Sequence, residues 1–199
     1  MNLKSNHSIY IAKLILLTSF LVFSSISKGT PSALLIDDFS QHDNTSLGTS
    51  RIFVSDTSVG GNSTMDFHLS EGVIQVSGDI MPPRGQPGWS SMVLLLNEAE
   101  QVVNASMYKG IKLRIQINSG AVSISANSAD VSNFDYHSAQ VITQIDGEFH
   151  DIKIPFTSMK RMWSEQTQLN TKALNSLSIV AFGLKQTKYE FAIEEISFY

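Results

Sequence analysis

Cysteine is absent from the 199-residue sequence, and its absence excludes several classes of protein. Without thiols the chain cannot form disulfides, a cysteine-liganded zinc site, an iron–sulfur cluster or a cysteine nucleophile. Basic residues are also scarce, with 14 lysines and arginines against 18 aspartates and glutamates and a formal charge of −4. Because binding to phosphates requires a basic surface, we expect no nucleic-acid partner.

Long apolar runs are missing except near the N-terminus. Residues 14–23 are mainly apolar, follow Lys4 and Lys13, and precede small residues at 24–27. This order is typical of a secretory signal peptide, and the run is shorter than the ~20 residues of a transmembrane helix. We therefore predict cleavage after residue 27, or else after Gly29. The alternatives to a signal peptide are an uncleaved anchor and a mitochondrial presequence. The mature chain, with a formal charge of −6, would have no membrane span and would be periplasmic or extracellular.

Long helical periodicity is also missing, and apolar and polar residues alternate along most of the chain after residue 34. Such alternation is typical of strands with one buried face, and glycine-rich or proline-rich turns separate the segments. The pattern predicts a single all-β domain over residues 34–199, an antiparallel β-sandwich or jelly roll. Eleven strands are predicted, at residues 34–39, 52–55, 65–69, 74–76, 90–96, 111–117, 121–126, 136–142, 149–154, 177–184 and 189–198.

Three local features of this sandwich can also be predicted. Asn118-Ser119-Gly120 separates two strongly alternating segments and predicts a β-hairpin. Around Glu194-Glu195 the alternation changes phase, which indicates a bulge in the last strand. We also expect the first and last strands to lie side by side.

One short signature points to a family. Asp56-Thr57, Gly60-Gly61 and Ser63 are similar to the signature Asn-Asp-Thr-Val-Met-Gly-Gly-x-Ser, with Ser58-Val59 in place of its Val-Met. With five other stretches, this segment resembles the NADH:ubiquinone oxidoreductase complex I intermediate-associated protein 30 family over residues 34–199. Those other stretches are residues 35–39, 134–137, 149–156, 160–164 and 191–199.

The resemblance carries expectations about fold and function. It implies a galactose-binding-domain-like β-sandwich, a fold also close to that of family 11 carbohydrate-binding modules. Mitochondrial members of the family are non-catalytic assembly chaperones of respiratory complex I, whereas the predicted signal peptide places this chain in another compartment. We expect a non-catalytic, exported interaction or assembly module that binds a protein partner. The alternative is a carbohydrate-binding module.

The signature segment itself contains candidate ligand contacts. Gly60 and Gly61 would allow close approach of the backbone to a ligand, with Asp56 and Ser63 as polar contacts. The alternative is purely structural, because glycines provide positive φ in tight turns and an aspartate caps the backbone there. The spacing matches neither a dinucleotide-binding loop nor a phosphate-binding loop.

Flat aromatic side chains next to polar groups are the second set of candidates. Four rings could stack on a sugar or a peptide, beside polar neighbours at His137, Gln140 and Arg161. These rings are Trp89, Tyr108, Tyr136 and Trp163. The alternative is that these rings fill the core and the bases of loops. Trp163 follows a basic pair in a predicted surface loop and is the preferred ligand or partner contact.

Metal binding and catalysis have weaker signals. If the first and last strands adjoin, carboxylates such as Asp38 and Glu195 could hold a structural calcium ion, or could simply accept backbone hydrogen bonds. No other cofactor is expected.

The scattered histidines match no zinc-protease motif and no nucleophile elbow is present, so we predict no enzymatic activity.

Overall fold

Two antiparallel β-sheets face each other in the computed structural model, which describes residues 32–98 and 101–199. The predicted signal peptide, residues 1–27, lies outside the described residues. The first sheet has the order β3-β4-β11-β6-β9, with β1 also paired to β11, and the second has the order β2-β5-β10-β7-β8. The strands are β1 (Leu34–Asp37), β2 (Arg51–Ser55), β3 (Asp66–Ser70), β4 (Val73–Ile80), β5 (Gly88–Leu95), β6 (Gly110–Ser119), β7 (Ala121–Ser128), β8 (His137–Gln140), β9 (His150–Pro155), β10 (Leu174–Gly183) and β11 (Thr187–Phe198).

The alternating sequence explains why these segments are strands. In β6, Ile111, Leu113 and Ile115 are fully buried between the sheets, whereas Lys112 and Arg114 point outward. Equivalent positions of the other strands complete one continuous apolar core, because successive strand residues point to opposite faces. The all-β sandwich is confirmed, and each of the eleven predicted strands overlaps one observed strand.

The predicted hairpin at residues 118–120 is wrong. β6 pairs with β9 and β11 in the first sheet, whereas β7 pairs with β8 and β10 in the second. Gly120, with φ of +83°, turns the chain from one sheet into the other. Apolar and polar residues alternate in both strands because both strands cover the same core, from opposite sides. Alternation and a turn signal therefore could not show whether β6 and β7 pair in one sheet or belong to different sheets.

The two predictions for the chain ends are confirmed. β1 pairs with β11, placing Leu34 opposite Phe198. The register between β11 and β6 shifts between Ile193 and Glu195, as expected for a bulge.

Helical structure is minor in residues 32–98 and 101–199. It consists of two short 3-10 turns, Asp56–Val59 and Phe156–Ser158. No helix in this part of the chain combines the length and apolar character needed to cross a membrane.

Candidate functional site: an uncharged, recessed sheet face

The outer face of the second sheet is the candidate site, and its residues follow from the strand register. Because Met92, Ile179 and Ile124 point into the core, the alternate residues of β5, β10 and β7 point outward. We call this surface the serine face. Its polar members are Ser91, Ser123, Ser125, Asn127, Ser138, Gln140, Ser176 and Ser178, and its apolar and aromatic members are Ile52, Val54, Trp89, Val93, Leu95, Ala121, Val180 and Phe182.

None of these sixteen outward positions carries a charge. The outer face of the first sheet is the opposite, since ion pairs cross it between neighbouring strands. Lys112 lies 3.2 Å from Asp151, and Arg114 pairs with Glu194. The contrast shows that the serine face differs from an ordinary solvated sheet surface in the same molecule, where charged side chains predominate.

The serine face is recessed from its centre to the Ser176 end, although no sheet packs on it. Ser178 and Ser125 are each 8% exposed, Ser176 is 6% exposed, and Asn127 is 3% exposed. The Asn127 amide nitrogen donates to the Ser176 and Ser178 hydroxyls at 2.9 and 2.7 Å, while its Oδ1 has no partner. A buried amide oxygen without a partner costs free energy, so Asn127 is held on this face at a cost to stability.

Aromatic rings lie at both ends of the serine face. Trp89 on β5 is directly opposite Phe182 on β10, and both side chains are half-buried. At the other end Tyr136 precedes β8. Because His137 is paired with Ala126 and is buried, continued alternation would place the Tyr136 side chain on the outer side. Partial burial raises the pKa of Tyr136, so its hydroxyl remains a neutral donor across the ordinary pH range.

The signature segment, residues 56–63, holds the backbone of Trp89 through Asp56. The buried Asp56 carboxylate accepts hydrogen bonds from the Ser63 amide at 2.9 Å, the Ser63 hydroxyl at 2.7 Å and the Trp89 amide at 3.1 Å. Gly61 packs so tightly that a Cβ there would lie 2.2 Å from Asp56 Cγ, and Gly60 has φ of +89°. In this arrangement Asp56, Gly60 and Gly61 shape the loop and support the strand that carries Trp89.

Asp135 organises a second loop, residues 160–166, which we call the Trp163 loop. Its carboxylate is 1% exposed and accepts backbone hydrogen bonds from Met162, Trp163 and Ser164 at 2.8, 3.1 and 2.6 Å. Burial alone would raise the pKa of Asp135, but the donors of the Trp163 loop outweigh it and hold the pKa below its usual value. The Trp163 side chain itself is 69% exposed.

Two other predicted contacts are already engaged within the protein. Arg161 donates to the Asp135 carbonyl at 3.1 Å and to Asn133 Oδ1 at 2.9 Å, which ties the Trp163 loop to the segment before β8. His137 is 1% exposed, its Nε2 lies 2.8 Å from the Thr167 carbonyl, and its Nδ1 has no partner. Their ligand roles, like those of the other candidates, stay predictions.

The predicted calcium ligands have separate partners. Asp38 Oδ1 accepts from the Ser40 and Ser46 hydroxyls at 2.7 and 2.9 Å, and the Ser40 hydroxyl is the leading cause of a lowered pKa of Asp38. Glu195 Oε1 accepts from the Ser197 hydroxyl at 3.1 Å. In the described ranges no three His, Asp or Glu side chains are grouped to hold a metal ion. Calcium binding stays a prediction.

Sequence comparison identifies the family of this fold. The profile of the complex I intermediate-associated protein 30 (CIA30) family matches residues 38–194. The chain is a member of the CIA30 family. A comparison with curated protein sequences found no significant match. The matched range includes both the Asp56 segment and the Trp163 loop of this CIA30 protein.

Solved structures with a similar fold include carbohydrate-binding modules. The family 11 module of the cellulosomal cellulase Lic26A-Cel5E of Clostridium thermocellum is 18% identical, with a TM-score of 0.60 over 84% of this chain and 94% of that one. The same family's module in complex with a β-1,3-1,4-mixed-linked tetrasaccharide is 17% identical, with a TM-score of 0.57 over 83% and 94%. The agarase AgWH50C is 11% identical, with a TM-score of 0.58 over 84% of this chain and 24% of that one. These similarities show the galactose-binding-like jelly-roll fold of the CIA30 chain.

The serine face was not predicted from the sequence, although Trp89 and Tyr136 were. Its serines were interpreted only as the polar partners of alternating strands. One signal could have identified the face: residues 121–128 and 174–183 place serine, asparagine or apolar residues where β6 has lysine and arginine.

Proposed function

We propose that this CIA30 protein is an exported, non-catalytic module that binds a glycan along the serine face. The observation that carries the proposal is the complete absence of charge from the sixteen outward positions of a partly recessed face, which has hydroxyl and amide groups along β7 and β10 and aromatic rings at its ends. The expected ligand is a polysaccharide chain that is uncharged over most of its bound length.

The chemistry of the serine face matches that of a neutral sugar chain. Sugar hydroxyls both donate and accept hydrogen bonds, as serine hydroxyls and the Asn127 carboxamide do. Sugar rings also have apolar C–H faces, which pack against flat side chains such as Trp89 and Phe182. A charged ligand would lose its hydration on this face without gaining a countercharge.

The size of the serine face supports an extended ligand. Ser176 and Phe182 mark its two ends on β10, six residues apart in one strand. A strand rises ~3.3 Å per residue, so these two positions are separated by about 20 Å. That length accommodates several sugar units, and the similar family 11 module was solved with a tetrasaccharide.

Titration calorimetry with soluble neutral polysaccharides tests the proposal directly. The wild-type protein, tested with and without calcium, should bind at least one glycan, and Trp89→Ala should weaken binding about 10-fold or more because a stacking ring is lost. The control is Phe67→Ala, which removes another half-exposed ring, on the edge strand of the first sheet. Unchanged affinity of Trp89→Ala, or no binding to a broad glycan panel, would overturn the proposal.

A protein partner is the second candidate function, and a different surface favours it. Phe134, Met162 and Trp163 are 78%, 66% and 69% exposed and are carried by segments that Asp135 holds together. Exposed apolar groups on an ordered loop are typical of interaction sites, and assembly factors occur in the CIA30 family. Pull-down from an envelope fraction should lose its partner with Trp163→Ala and keep it with Trp89→Ala if this function operates.

A further inference from the structure

A cationic pocket adjoins the aromatic end of the serine face. The loop from β4 to β5, the loop from β10 to β11 and Asn62 line an open concavity of about 510 Å³. These loops meet where Gly88 pairs with Gly183, one residue beyond the Trp89–Phe182 pair. A chain lying along the serine face and leaving past Trp89 would therefore pass the loops that line this pocket.

The charge of this pocket has one sign. Arg84 and Lys185 both line it, and none of its lining residues is acidic. Among residues 32–98 and 101–199, neither cation forms an ion pair. Two cations in one concavity that has no acidic lining residue together attract an anion.

The pocket is also stiffened. Pro82, Pro83 and Pro87 are three of the five prolines in the chain. The Gln86 amide donates to the Pro83 carbonyl at 3.2 Å, and Gly85 completes the turn with φ of +80°. Fixed φ angles reduce the conformational entropy that a loop loses on binding. Binding through Arg84 therefore costs less entropy than binding through an arginine on a flexible loop.

We propose that this pocket binds the oxyanion of an acidic sugar unit, a uronate carboxylate or a sulfate ester, on a glycan whose neutral part lies on the serine face. The proposal rests on the glycan-binding function proposed above. Arginine binds such oxyanions through a planar, two-point contact and lysine adds a point charge. The side-chain amides of Asn62, Gln86 and Gln186 are available to the hydroxyls of the same unit.

Because an uncharged face lies next to a cationic pocket, the acidic sugar unit must bind at the pocket end of the glycan. An acidic unit on the centre of the serine face would be desolvated without a countercharge, whereas the same unit at the Trp89 end would contact Arg84 and Lys185. The module would thus distinguish an acid at one end of the bound segment from acids repeated along it. Since Arg84 and Lys185 are exposed, added salt should weaken the attraction between these two cations and the acidic unit.

Matched oligosaccharides test the inference. A neutral oligosaccharide that the wild type binds is compared with two derivatives whose terminal unit carries either a C6 carboxylate or a sulfate ester. At low salt we expect at least one derivative to bind about 10-fold tighter than the neutral compound, and the stronger one identifies the source of the oxyanion. High salt should remove most of that difference.

Two double variants locate the effect. Arg84→Gln with Lys185→Gln should bind all three compounds with the affinity of the neutral one. Lys153→Gln with Lys172→Gln, a change of equal charge at exposed sites outside the pocket, should retain the preference. Retained binding of the neutral compound shows that each variant is folded.

The outcomes separate this inference from the function on which it rests. If the wild type binds all three oligosaccharides equally, or if the Arg84 and Lys185 variant keeps the preference, the pocket has no role in recognising an acid and glycan binding stands. If no oligosaccharide binds, glycan binding itself is wrong and the inference is overturned with it.

Discussion

Asp37 on β1 and Arg51 on β2 form a two-point ion pair that joins the two sheets. Arg51 Nε lies 2.6 Å from Asp37 Oδ2, and Arg51 Nη2 lies 2.8 Å from Oδ1, with both side chains almost fully buried. The guanidinium also donates to the Gln41 and His42 carbonyls. One buried arginine thus secures β1, β2 and the chain between them.

Asp37→Asn should lower the free energy of unfolding by about 3 kcal/mol, because it leaves the buried Arg51 charge without its partner. Urea denaturation at neutral pH measures the change. Asp43→Asn is the matched control, since its pair with His42 is exposed and should contribute less than about 1 kcal/mol. Equal effects of the two variants would show that the Asp37–Arg51 pair does not hold the sheets together.

Gly60 and Gly61 should respond differently to alanine. At Gly60 nothing lies within 4 Å of an added Cβ but φ is +89°, so Gly60→Ala should cost about 1 kcal/mol. At Gly61 the Cβ would overlap Asp56, so Gly61→Ala should cost about 3 kcal/mol and displace the Trp89 amide from its acceptor. Thermal unfolding ranks the two, and the opposite order would contradict the packing described for Asp56.

A charge on the serine face should affect binding more than stability. Ser125→Asp places a carboxylate at the recessed centre of the face, where no cation lies among the sixteen outward positions. We expect glycan affinity to fall about 10-fold or more, since a sugar would have to desolvate the new charge. Ser77→Asp, on an exposed position of the first sheet, is the control. Full affinity of Ser125→Asp would place the glycan elsewhere.

Much of the fold could be predicted because apolar residues alternate strictly in segments such as β6. Sheet assignment could not be predicted: β6 and β7 have the same pattern and a turn between them, yet they cover the core from opposite sides. The site was predicted only in part. Trp89 was identifiable as an aromatic beside a turn, whereas the recession around Asn127 arises from neighbours on β10 and becomes visible only once the strands are in register.

Acid should release the Trp163 loop before it unfolds the sandwich. The pKa of Asp135 is lowered in the folded state, so its stabilisation is complete above the ordinary aspartate value of ~3.9 and is lost as the pH falls below it through the lowered folded pKa. Fluorescence of a Trp89→Phe protein, which reports Trp163 alone, should change in that range. Asp135→Asn should destabilise the loop by about 2 kcal/mol at neutral pH and abolish the acid transition. A transition that persists in Asp135→Asn would assign it to another carboxylate.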